Sequence, residues 1–314
     1  MSAANRSQPT YGGQAVVEGV MIRGERAMAI AVRRPDGEIE THSAPLGMLY
    51  LSFLRRIPLL RGVLVLWETL ALGIRALSWS SGIAEGDLDE SGQPPQLSIR
   101  DYAAFAFTMT IAVAIFFAGP VLATVWLDSL LPAGWIVVLV EGAIRFGLLV
   151  GYIWLIGQTE GIQRIFQYHG AEHMTIHALE NGALSVDQHS GIVRTGSVAA
   201  VRRFDRAHPR CGTSFLLTIA AVSVVVFLVV GTPDLWLRLA SRVALIPLVA
   251  SLAYEVIRFA GRFPSHPLVR WLFAANLALQ RLTTREPDDE QIQVAVAALS
   301  AAIVADHGVG DTAR

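Results

Sequence analysis

The sequence predicts a mainly α-helical, polytopic membrane protein with about four transmembrane helices in two hairpins, a small N-terminal β-hairpin and an interfacial amphipathic helix. Two observations carry that expectation. Over 314 residues the chain is 53% hydrophobic and only 16% charged, too apolar for an ordinary soluble protein of that length. Its apolar residues also gather into paired runs, several of them long enough to cross a ~30 Å hydrocarbon core at 1.5 Å per residue.

Residues 102–127 contain no charged side chain and supply the first span. A turn from Asp128 to Gly134 leads to the second, residues 135–156, where Glu141 and Arg145 stand four apart and are expected to pair within the helix. Spans 215–230 and 235–259 form the second hairpin, closed by Gly231, Thr232, Pro233 and Asp234, all turn-forming residues. Arg238 and Arg242 fall in the first two turns of the last span and are expected to snorkel toward the outer surface.

Residues 57–79 are apolar but carry Arg61, Glu68 and Arg75 at intervals of seven. That spacing puts all three on one helical stripe, the pattern of a helix lying in the membrane interface. A fifth span would also place Arg6, Arg23, Arg26, Arg33, Arg34, Arg55 and Arg56 outside, against the positive-inside tendency. With four spans, segments 1–101, 157–213 and 260–314 face the cytoplasm with both termini, as in a multi-pass protein of the bacterial inner (plasma) membrane. Met1–Thr10 has no apolar core of a secretory signal.

In the N-terminal segment, Ala27–Arg33 and Glu38–Ser43 flank the turn signal Arg34-Pro35-Asp36-Gly37 and predict the β-hairpin. The glycines of residues 12–24 suggest close backbone packing. Residues 80–101 are acidic and rich in Pro and Gly, and read as a linker. Pro287, Asp288, Asp289 and Glu290 open a terminal helix that runs to about Val304. All 25 basic residues are Arg, and the formal net charge is −1. No nucleic-acid partner is expected; membrane lipids are, and a homo-oligomer is compatible. Cys211 is the single cysteine, so no intramolecular disulfide can form.

The richest segment for chemistry is Tyr168–Gly182. His169, His173 and His177 recur every four residues, and on a helix such neighbours lie ~5–6 Å apart at Cβ, so adjacent imidazoles can share a metal ion. His169 to His173 spells H-x-x-E-H, the inverted zincin pattern, in which the two histidines bind zinc and Glu172 activates water. A third protein ligand is needed, and Glu180, His208 and Cys211 are the candidates. The same row of histidines could instead bond backbone carbonyls and lipid headgroups at the membrane boundary. His42, His189 and His266 have no partner at metal-ligand spacing.

Five blocks, GGQAVVEGVMIRG at 12–24, AVRRPDGEI at 31–39, YHGAEHMTI at 168–176, HPRCGTSF at 208–215 and LTTREPDDEQIQVAV at 282–296, resemble the YqhQ-like family, a bacterial domain of unknown function (DUF1385) described as predicted metal-dependent membrane enzymes. The resemblance runs nearly end to end. It implies a metal site built from His169, Glu172, His173, His208 and Cys211; His177, Glu180 and Glu18 rank below these. Where the family usually has Lys after the second histidine, this chain has Met174.

These readings lead to a cytoplasm-facing, membrane-embedded metal-dependent hydrolase of a peptide or lipid-linked substrate. Its divalent ion is expected to be zinc, with His169 and His173 as ligands, His208 or Cys211 completing the site, and Glu172 as general base. The alternative is a non-catalytic membrane scaffold or assembly factor with a closed structural metal site of His169, His173, His208 and Cys211. Transport is a weaker third reading, because Glu141 and Arg145 alone are ionisable well inside the bilayer.

Overall fold

The computed structural model describes residues 11–47, 53–88, 97–131, 133–195, 198–208, 212, 214–260, 263 and 266–311. Four strands, β1 (Gly12–Val16), β2 (Gly19–Arg23), β3 (Ala27–Arg33) and β4 (Ile39–Pro45), form an antiparallel sheet in sequence order. The expected hairpin is thus the second half of a four-stranded meander. Its first half turns through Val17 and Glu18, with Val16 paired to Gly19. Glu18 takes a φ of 49° there, a conformation that usually goes to Gly or Asn. The turn therefore carries no Asn-Gly or Asp-Gly signal, and the glycines of residues 12–24 read only as packing.

Both faces of the sheet are buried, which explains the nearly unbroken apolar run of β3. Val20, Ile22, Ala29 and Ala31 face a layer made by α5 (Glu160–Glu180) and α11 (Asp289–Asp311). Met21, Met28, Ile30 and Val32, at the alternate positions of the pleat, meet Leu72, Ala76, Trp79 and Ile83 of α1 (Leu60–Glu85). Helix α1 therefore continues past Trp79 into the segment expected to be linker. It stops at Gly86, whose φ of 72° ends it in the left-handed conformation. Near its start Arg61 forms a bidentate ion pair with Glu255.

Helix α11 begins with a reciprocal cap. The Asp288 carboxylate accepts from Gln291 N at 2.8 Å, and Gln291 Oε1 accepts from Asp288 N at 3.0 Å. At the other end Asp306 accepts from the backbone N–H groups of Glu25, Arg26 and Ala27. The C-terminal helix is thus built into the N-terminal sheet.

The remaining helices make an apolar bundle. A rod from Ile99 to Ser129 joins α2 (Ile99–Val113), a π turn (Ala114–Ala118), α3 (Gly119–Thr124) and a 3-10 turn (Val125–Ser129). With α4 (Gly134–Ile156) it gives two helices long and apolar enough to cross a membrane. A third exists if α8 (Leu235–Ala244) and α9 (Ile246–Ala260), bent by 48° at their junction, act as one span. Pro247 in the first turn of α9 removes a backbone donor at the bend. After a single turn, α6 (Val198–Val201), helix α7 (Ser214–Val230) is apolar but shorter than the spans, and α10 (Pro267–Thr283) packs against α4 and α7.

The polar residues inside this bundle arrange themselves otherwise than expected. Glu141 does not form a hydrogen-bonded pair with Arg145 but accepts from two arginines of α8, Arg238 on Oε1 and Arg242 on Oε2. Neither arginine snorkels: they are 1% and 0% exposed. Arg238 also donates to Asp128 at 2.7 Å and Thr124 at 3.2 Å. Arg145 donates through Nε to the carbonyl of Phe116, within the π turn, and through Nη1 to Ser223. The i, i+4 pair loses because Glu141 can satisfy both oxygens with forks from a neighbouring helix.

Candidate metal centre

Helix α5 carries the histidine row and is held by its surroundings rather than by its own propensity. It ends where the sequence indicates, at Asn181 followed by Gly182 with a φ of 71°. From Tyr168 to Ile176 every residue is buried. Two glycines allow that. A Cβ on Gly170 would lie 2.2 Å from the carbonyl oxygen of Arg285, so α5 can approach the segment after α10 only with Gly there. A Cβ on Gly13 would lie 3.2 Å from Glu172 Oε1 and 2.2 Å from the carbonyl of Met21, so the first strand closes directly over the Glu172 carboxylate.

Six side chains divide into two groups. One ligand atom from each of His169, Glu172 and His173 lies within 4.8 Å of the others, and the same holds for His177, Glu180 and His208. Ligand atoms around one zinc at ~2.0–2.1 Å lie ~3.3 Å apart, so the atoms of either trio would draw together by up to ~1.5 Å on coordination. The groups are contiguous: the rings of His173 and His208 are 5.9 Å apart, those of His169 and His173 are 4.4 Å apart, and those of His177 and His208 are also 4.4 Å apart.

Backbone carbonyls orient the rings. His169 Nδ1 bonds to the Thr283 carbonyl at 2.8 Å and His173 Nδ1 to the Arg206 carbonyl at 2.6 Å. A carbonyl can only accept, so Nδ1 carries a proton in both, and in a neutral ring so held Nε2 is the nitrogen with the lone pair. His173 Nε2 is buried without a hydrogen-bond partner among the described residues and stands 3.9 Å from Glu172 Oε2. Burial first, and then the neighbouring His169, push the His173 imidazole well below its usual pKa and keep it neutral. Neutral imidazole is the form that binds a metal.

In the second group His177 Nε2 bonds the Ala207 carbonyl at 3.0 Å and His208 Nε2 meets Glu180 Oε2 at 3.2 Å. Gln280 fixes the backbone of His208 from both sides, accepting from its N and donating to its O, each at 2.9 Å.

The structure therefore places His208 beside Glu180 and His177 rather than beside His169. Cys211 lies outside the described residues. Glu18 joins neither group: it forms a bidentate pair with Arg164 and accepts from the Tyr168 hydroxyl at 3.2 Å, fastening the β1–β2 turn to α5. Of the unassigned histidines, His42 lies against Trp79 and His266 caps α10. Sequence reasoning missed Gln280, Thr283 and Arg206. Two of these act through carbonyls, which have no residue signature, and α10 shows no sign in sequence of reaching the histidines.

A family model described as "Protein of unknown function (DUF1385)" matches residues 57–305. The "Uncharacterized protein YqhQ" of Bacillus subtilis (strain 168) is 35% identical over 301 residues, covering 92% of this chain and 90% of that protein. No solved structure matches.

Proposed function

We propose that this chain, which belongs to the DUF1385 family, is a metal-dependent hydrolase embedded in the bacterial inner membrane with its histidine cluster facing the cytoplasm. The observation that carries the reading is the convergence of His169, Glu172 and His173: two imidazoles with Nδ1 committed to carbonyls, a buried His173 Nε2 without a hydrogen-bond partner among the described residues, and a carboxylate beside them. This donor set suits zinc. In this reading α2–α3, α4, α7 and α8–α9 supply four spans in two hairpins. The arginine-rich segments 1–101, 157–213 and 260–314 then lie on the cytoplasmic side with both termini.

A bound zinc would polarise a scissile carbonyl or phosphoryl group and acidify water. His169 and His173 hold the ion, and the Thr283 and Arg206 carbonyls keep their rings in the binding tautomer. Glu172, covered by β1, takes the proton from water as general base. His208, its ring 5.9 Å from that of His173, would complete the ligand set on leaving Glu180, and Cys211 is the alternative to it. The substrate is a peptide or a lipid-linked compound.

The second reading is a non-catalytic membrane scaffold or assembly factor with a structural ion. The deep burial of Glu172 and His173, 3% and 1% exposed, favours it. Elemental mass spectrometry of the detergent-purified protein separates the readings. The wild type is expected to hold about one zinc per chain, and His169→Ala/His173→Ala is expected to hold none. Glu172→Gln that keeps its metal and loses activity in cells supports catalysis. Glu172→Gln that is silent, with His173→Ala losing the folded protein, supports the scaffold. A metal-free wild type overturns both.

A further inference from the structure

Where α4 ends and α5 begins, a cavity of about 550 Å³ opens between that junction, the end of α10 and the loop before His208. Its volume falls in the ~300–1,000 Å³ range of small-molecule sites. Three arginines, Arg206, Arg281 and Arg285, stand in its wall against a single acid, Glu286. The acid neutralises little: Arg206 Nη1 is 3.7 Å from Glu286 Oε2, with the two side chains 36% and 63% exposed, a pair in the weak class. Arg285 donates to the Gly157 carbonyl at 3.1 Å. Arg281 makes no ion pair among the described residues.

The other side of the cavity is apolar, with Trp154 and Leu282 60% and 41% exposed. Trp154 sits two residues before the end of α4, one of the two helices long and apolar enough to cross a membrane. With α4 as a span, the part of the proposed function on which this inference rests, the cavity lies at headgroup depth, where Trp concentrates, with an apolar wall toward the acyl region and surplus positive charge beyond it. Guanidinium forks match phosphate oxygens bidentately, and basic pockets beside membrane helices suit anionic headgroups.

We propose that this cavity binds the phosphate headgroup of an anionic membrane lipid. Arg281 and Arg206 supply the charge, Arg285 lines the floor beside Gly157, and Trp154 and Leu282 flank the first carbons of the acyl chains. The site stands on its own residues and does not depend on metal in the histidine cluster. The two are neighbours all the same. The backbone of Arg206 holds His173, and Thr283, next to the cavity residue Thr284, holds His169.

The test follows thermal unfolding of the full-length protein in a neutral detergent during titration with dioctanoyl phosphatidic acid, dioctanoyl phosphatidylcholine or inorganic phosphate. Phosphatidic acid is expected to raise the midpoint at concentrations at least ~10-fold below phosphatidylcholine, an effect that weakens with salt. Arg206→Gln/Arg281→Gln is expected to shift that titration ~10-fold or more, the scale of one lost charge-assisted contact. Arg281→Glu, at an exposed residue with no ion pair to lose, gives the same readout if the double variant does not fold. Equal responses to the two lipids, or wild-type titrations from the variants, overturn the proposal. Inorganic phosphate acting at the same concentration as phosphatidic acid makes free phosphate the ligand and overturns the membrane source. A metal-free wild type that keeps the lipid response fails the metal reading and leaves this one standing.

Discussion

The molecule buries two clusters of ionisable side chains, and they are built on opposite principles. In the apolar bundle Glu141 gives each oxygen to an arginine, and Arg238 spreads its donors over Glu141, Asp128 and Thr124. Arg145, beyond its two hydrogen bonds, lies over the rings of Phe117 and Phe227 at 5.5 and 5.1 Å, a cation–π arrangement. In that cluster both Glu141 oxygens and the Nε of each arginine bond to protein, while Arg145 Nη2 has no hydrogen-bond partner among the described residues. In the α5 cluster the carbonyls of Thr283 and Arg206 occupy only the Nδ1 nitrogens of the rings, and His173 Nε2 is buried without a hydrogen-bond partner among the described residues. Burying a polar group costs free energy unless it is paired. The first cluster recovers most of that cost from protein, and the second leaves ring nitrogens placed to recover it from a ligand.

The comparison breaks first at Glu141. Glu141→Ala leaves Arg238 and Arg242 buried without their shared carboxylate, which costs ~3–5 kcal/mol. Detergent-resistant unfolding should show it as loss of most of the folded protein, while any zinc per folded chain is unchanged. A folded Glu141→Ala protein of wild-type stability would mean that the arginines are hydrated, and the contrast would fail.

The α5 cluster is tested through its frame. Gly170→Ala pushes a methyl group into the Arg285 carbonyl and displaces the segment that carries Thr283. The expected overpacking cost is ~1–3 kcal/mol, with a ~10–100-fold fall in zinc affinity, the range for disturbed partners of ligating histidines. Competition with a chromogenic chelator measures the second effect; unchanged affinity would remove the carbonyls from the account. The smallest effect sharpens the contrast by sparing both clusters. Asp288→Ala loses the cap of α11 and costs ~1 kcal/mol of stability, with zinc and the bundle arginines unaffected. A loss of zinc in that variant would show that α11 reaches the site directly.

How far these features can be read in the sequence depends on which atoms make them. The paired apolar runs, the hairpin around Pro35-Asp36-Gly37, the helix stop at Asn181-Gly182 and the acidic start of α11 are local, and composition and spacing reveal them. The histidine spacing reveals a helical row as well. The division of that row is not local: His208 meets Glu180 because Gln280 of α10 holds its backbone. Nor is the β1–β2 turn legible, since Glu18 holds its left-handed conformation through Arg164 and Tyr168. Glu141 and Arg145 show the general limit. Spacing finds a pair that could form, but α8 brings two better partners from about a hundred residues away.

The insertion of α11 into the N-terminal sheet sets an order of assembly. Helix α5 emerges during synthesis long before Thr283 arrives to hold His169, and before α11 arrives to cover the same face of the sheet. Between those moments α7, α8 and α9 must find their places in the apolar bundle. The histidine centre is therefore completed only after the segments carrying Thr283 and α11 have been made, and its completion reports that the helices between have been threaded correctly.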